Sequence, residues 1–328
     1  KKVPLDVDQS WVLDGADGTR ALDRCSLSAP RARVLEATVR QHRRVLAVRP
    51  ADAEVVTLQA GAALGIDRLI VDGAAVDPED ICDTPATITA TIDRVTLNRT
   101  TAAPTGGSEI QYDDQSAAVI VPDRRGYTYL LPFGFTPDSN DYFDPITRQS
   151  VPLTVAGTES IGGRTVTHFV ATIPETDLSA AVQDPRAVLT KPAAWFRDFP
   201  GIAPTDELTA TLRHRATIEL FVDEATGVIV SERAAVTETY RFTPELRARS
   251  RELNDYSLIN VDTTLDSDQR TIREAADYAA SRAWPVLVTT RVVPIAAGVL
   301  GLFLLGFGIW WLRRPDESAP REPTPGTS

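Results

Sequence analysis

The chain has 328 residues, a formal net charge of −11, and 43% hydrophobic against 24% charged residues. That is ordinary globular usage, with enough apolar material for a sizeable core. No dense basic run exists to neutralise phosphates, which excludes a nucleic-acid role. Of the 34 basic residues only Lys1, Lys2 and Lys191 are lysine, and there is no Met. The missing Met predicts a trimmed N-terminus, with a signal peptide or a first membrane helix before Lys1.

Cys25 and Cys82 are the only cysteines. They form either one disulfide or two unrelated buried thiols, and an oxidising compartment outside the membrane favours the bridge. Without a His pair beside them they make no zinc site. Ile88 to Leu97 alternates at period two and predicts a strand, followed by a Pro/Gly-rich loop over 102–108. Tyr127 to Pro145 concentrates aromatics on a segment broken by Pro132, Pro137 and Pro145, with Gly134 permitting a tight turn. These aromatics either fold inward as anchors or line a groove that takes sugar rings or acyl chains. Tyr127, Tyr129, Tyr142 and Phe143 are the candidate ligand-binding residues.

Val151–Gly157 and Thr165–Ile173 read as a hairpin closed through Gly162-Gly163. A helix around Trp195 is expected within 184–199. Thr217–Val222 and Val228–Ala235 flank a second hairpin turn, and Thr237–Phe242 continues the meander. Thr243–Leu253 predicts a short surface helix with Pro244 at its first position. Ser267–Trp284 predicts an amphipathic helix capped by Asp266 or Ser267 and interrupted at Pro285.

Val292 to Leu312 carries no charge and is long enough, at roughly 30 Å, to span a bilayer core. Trp310-Trp311 and then Arg313-Arg314 predict a transmembrane helix with its C-terminus in the cytoplasm. The predicted organisation is an extracytoplasmic β-rich domain over 1–285, a transmembrane helix over 286–312, and a disordered cytoplasmic tail over 313–328. The fold class is mainly β (α+β): a curved antiparallel sheet, barrel or sandwich with peripheral helices.

Catalytic chemistry leaves no mark. His42, His168 and His214 are far apart in sequence, and no His-Glu-x-x-His, nucleophile elbow or phosphate loop is present. The acidic clusters at Asp113-Asp114 and Asp138–Asp144 lack regular calcium-loop spacing and read as solvated turns. No catalytic residue, metal ligand or cofactor is assigned.

Three segments carry a family resemblance: Val3-Pro4-Leu5-Asp6-Val7-Asp8 after two lysines; Tyr127-Thr128-Tyr129-Leu130-Leu131-Pro132-Phe133-Gly134 with Tyr142-Phe143-Asp144-Pro145; and the C-terminal apolar helix. In this order they resemble the actinobacterial family known as DUF3068 and labelled PorA-family, over nearly the whole chain. The resemblance implies a periplasmic domain between two membrane helices and an accessory role in lipomannan and lipoarabinomannan assembly. The partners implied are the membrane and a glycolipid or a membrane glycosyltransferase. The single apolar helix, in place of alternating lipid-facing strands, predicts a tethered domain and not a pore. Two alternatives stand beside this reading: a lipid carrier with an apolar cavity, and an envelope polysaccharide-processing enzyme.

Overall fold

A computed structural model describes residues 2–78, 82, 86–112, 117–136, 138, 140–182, 184, 186–287 and 293–312. Period-two alternation with β-branched residues drives most of the chain into one fifteen-stranded, antiparallel sheet. The strands are β1 (Asp8–Gly15), β2 (Arg20–Leu22), β3 (Val34–Ala51), β4 (Val55–Val71), β5 (Ala74–Val76), β6 (Thr87–Asn98), β7 (Ser108–Gln111), β8 (Val119–Val121) and β9 (Asn140–Asp144). They continue with β10 (Gln149–Ile161), β11 (Arg164–Asp177), β12 (Val188–Pro192), β13 (Glu207–Asp223), β14 (Ile229–Phe242) and β15 (Leu258–Ser267). The main path runs β8-β7-β6-β4-β3-β1-β15-β14-β13-β11-β10-β9. The first strand therefore lies between β3 and β15 and joins the N-terminal and C-terminal meanders into one sheet.

The strand and hairpin expectations from residue 151 to 242 hold, with longer strands. The 237–242 continuation belongs to β14 itself. Gly162 and Gly163, at φ 56° and 73°, make the β10–β11 turn, where positive φ favours glycine. Short helices are α1 (Leu178–Ala181), α2 (Ala193–Phe196), α3 (Pro244–Arg247) and α4 (Arg251–Asn254). The single helix expected over 243–253 is thus two short pieces, because Ser250 is extended and caps α4 from its side chain. Pro285 does not end α5 (Gln269–Leu287).

Strand alternation puts Val39, Val45, Leu58, Ile66, Phe169, Ile218 and Leu220 into the main core. An aromatic cluster of Trp195, Phe196, Phe199, Phe242 and Tyr256 fills a second one under α2, with edge-on ring pairs at 5.0–5.9 Å. The other face of the sheet is charged. Arg40 pairs with Asp14 and Asp67, Arg44 with Asp8, Arg20 with Asp262 and Arg233 with Asp266. Within 2–280, the exposed large hydrophobic residues are only Leu5, Ile120, Val155 and Val188, among the described residues. That outer face is a solvated surface and not an apolar band for lipid. Cys25 and Cys82 form a disulfide with Cα atoms 5.8 Å apart.

The last helix, α6 (Val293–Leu312), is described by itself. The expected transmembrane helix over 286–312 requires correction. Among the described residues, no helix is long and apolar enough to cross a membrane. The cytoplasmic tail, 313–328, and the acidic pair Asp113-Asp114 lie outside the described residues.

Candidate functional site

A row of polar side chains interrupts the apolar inner face. On β3 the inward phase runs Val39, Gln41, Arg43, Val45. On β13 it runs Leu212, His214, Ala216, Ile218, and on β14 it runs Glu232, Ala234, Val236, Glu238. A cavity of about 100 Å³ lies among them, shared with Thr89 and Thr91 of β6 and with Tyr129, Tyr142 and Asp144 of the aromatic segment.

Arg43 and Glu232 form a buried ion pair through both guanidinium nitrogens, one donor at 3.3 Å. The residues belong to strands separated in the sheet by β1 and β15. The Arg43 guanidinium also sits 5.2 Å from the Trp11 ring centroid, within cation–π range. The Glu232 amide is held by Ser267 Oγ at 2.9 Å. Burial alone would lower the Arg43 pKa, but the Glu232 charge outweighs it and the pKa is raised.

A second buried network starts at His214, whose Nδ1 is 3.1 Å from Glu238 Oε1. Glu238 also accepts from Asn260 at 2.7 Å and from Arg186 at 3.3 Å. Arg186 turns its other nitrogen to Asp184 at 2.6 Å, and Arg24 donates to Asn260 at 3.1 Å. Burial pushes Glu238 up, yet the Arg186 charge and the His214 and Asn260 bonds hold it down at about 2. Burial likewise lowers His214, but Glu238 overcomes it and the imidazole pKa is raised.

The four candidate aromatics separate into two groups. Tyr129 and Tyr142 line the cavity, whereas Tyr127 and Phe143 do not. Tyr129 donates to Asp93 at 2.6 Å, and Arg124 grips both Asp93 oxygens at 2.6 and 2.7 Å. The same guanidinium covers the Phe143 ring at 4.1 Å and bonds Thr128, which donates to the Phe143 carbonyl at 2.8 Å. Burial, with Asp93 adding to it, raises the Tyr129 phenol well above 10, and burial does the same for Tyr142. Tyr127 is half-buried and holds the segment through its backbone to Asp141 and Phe143, at 2.8 and 3.1 Å. The segment docks on the β13–β14 turn through Leu131 N–H and the Gly227 carbonyl, 2.9 Å apart.

Arg43, Glu232, His214 and Glu238 escaped the sequence reading, although a signal for them exists. Each falls in the apolar phase of a period-two run, where a charge must find a buried partner. His168, by contrast, stacks on Phe221 at 4.4 Å and meets Glu219 at 2.9 Å, away from the cavity. No group of three or more His, Cys, Asp or Glu that could hold a metal exists among the described residues.

A family model described as Porin PorA matches residues 1–310. A curated relative, Porin PorA of Corynebacterium resistens, is 31% identical over 139 residues, which covers 39% of this chain and 30% of that protein. The match thus spans less than a third of the relative's length. Both likenesses are to porins, and they overturn the expected role in lipoglycan assembly. The tethered-domain reading that set a pore aside falls with it, as do the lipid-carrier and polysaccharide-enzyme alternatives.

Proposed function

The chain belongs to the PorA family, and from that premise we propose that it is a non-enzymatic, channel-forming protein of the cell envelope that passes small solutes. The family match over residues 1–310 carries the reading. The structure supplies a feature that suits it, a polar cavity in an otherwise apolar sheet interior, with the Arg43–Glu232 ion pair in its wall.

The charged outer face bears on how the channel is built. Ion pairs such as Arg40–Asp14 and Arg44–Asp8 belong in water, so this sheet is not the lipid-facing wall of a barrel. On this reading the sheet is the water-exposed body of the channel and its interior the solute-contacting part.

Liposomes reconstituted with the full chain test this. Swelling in iso-osmotic solutions of small solutes, faster than in protein-free liposomes, is the expected result. Swelling no faster than in empty liposomes, at verified protein incorporation, overturns the proposal.

A further inference from the structure

The interior cavity has a chemistry that selects its occupant. Three of its lining residues carry a buried polar atom without a hydrogen-bond partner among the described residues: Arg43 Nε, Thr89 Oγ1 and His214 Nε2. Two or three of these are donors, because Glu238 takes the Nδ1 proton of His214 and protonated imidazole presents N–H on Nε2 as well. A buried donor left unmade is costly, so the site favours a molecule that brings acceptor oxygens. Between these atoms the wall is aliphatic, with Leu64, Ile218, Val236 and Leu265.

Charge excludes ions. Arg43 is neutralised by Glu232, and Arg186 bridges Glu238 and Asp184. Of the other acidic groups that line the cavity, Glu238 is bound by Arg186 and His214, and Asp144 accepts from the Thr147 amide and hydroxyl. An anion would leave water for a wall whose one guanidinium is already paired, and a cation would meet the unpaired donors of Arg43 and Thr89. Size narrows the choice further: about 100 Å³ is less than the roughly 150 Å³ that accommodates benzene.

We propose that this chamber is a binding site for a small uncharged solute bearing hydroxyl groups, of about the size of glycerol. The inference names the solute class for the passage described above and rests on that reading. Its donors grip the hydroxyl oxygens while the aliphatic wall covers the carbon backbone.

The test uses the full chain in a zwitterionic detergent, with glycerol as the probe and ligand-observed NMR as the readout. Saturable binding is expected, with acetate and ammonium failing to compete at equal concentration. Ala216→Leu, which fills the cavity from β13, abolishes the signal. Thr89→Val, which removes one hydroxyl at equal volume, weakens binding about five- to tenfold, as expected for one hydrogen bond, and guards against a folding failure in the first variant. Absence of saturable glycerol binding, undiminished binding in both variants, or equal competition by acetate or ammonium overturns the inference. Because no bilayer is involved, binding without conductance would sink only the channel reading. Conductance without binding would sink only the solute class.

Discussion

His214 and Glu238 face each other across β13 and β14, with Nδ1 3.1 Å from Oε1 and both side chains buried. Their pKa values move in opposite directions, and both movements link to stability. The raised His214 value means its contribution is complete below the unfolded pKa, about 6.5, and fades as pH rises through the folded value. The lowered Glu238 value, about 2, means its contribution is complete above about 4.5 and fades as pH falls towards 2. Together they predict maximal support from this network between about pH 4.5 and 6.5. His214→Gln should flatten the alkaline limb of a urea-midpoint profile. Glu238→Gln should cost about 3–5 kcal/mol at neutral pH by removing the buried carboxylate that His214, Arg186 and Asn260 share. Wild-type and variant profiles of the same shape would contradict this assignment.

The Arg43–Glu232 pair predicts non-additivity. Glu232→Ala leaves a buried guanidinium without its carboxylate and should lose about 3–5 kcal/mol. Arg43→Met with Glu232→Met removes both charges and should lose less than the two single substitutions summed. Denaturant unfolding of the four proteins measures the coupling, and strict additivity would show that the two side chains act independently.

Gly227 and Gly163 share φ 73°, but a Cβ at Gly227 would lie 2.1 Å from the Leu131 carbonyl oxygen, while one at Gly163 meets nothing within 4 Å. Gly163→Ala should therefore cost only the backbone strain, on the order of 1–3 kcal/mol. Gly227→Ala should cost more, because it also pushes the aromatic segment off the β13–β14 turn. Equal losses in thermal melts would mean that the segment does not dock there.

The Cys25–Cys82 disulfide closes a loop with a sequence separation of 57. In the chain-entropy model such a loop is worth about 4 kcal/mol. Thiol labelling under denaturing, non-reducing conditions should find no free thiol, and reduction should lower the unfolding midpoint accordingly. Two labelled cysteines in the unreduced chain would refute the bridge.

Period-two runs made β6, β10, β11, β13 and β14 legible in the sequence, because each buries one face and alternates cleanly. β3 and β4 were harder. Arg40, His42, Arg43 and Arg44 crowd the middle of β3, and Gly61 and Gly65 dilute β4, so neither resembles an ordinary half-buried strand. The long-range pairing of β1 with both β3 and β15 has no local signal at all. In the candidate site, the aromatics of 127–145 were visible through composition. Arg43 and Glu232 were not, because 189 residues separate them and only the assembled sheet brings them together.

The central claim is that the chain forms a channel, and recording the purified full chain in a planar lipid bilayer tests it most directly. The account predicts discrete, stepwise current increments that appear only after protein is added. It also predicts that Glu232→Gln, which loosens the Arg43 bridge across the interior, changes the unit conductance. A bilayer that stays silent with correctly folded, disulfide-bonded protein shown to be inserted would contradict it.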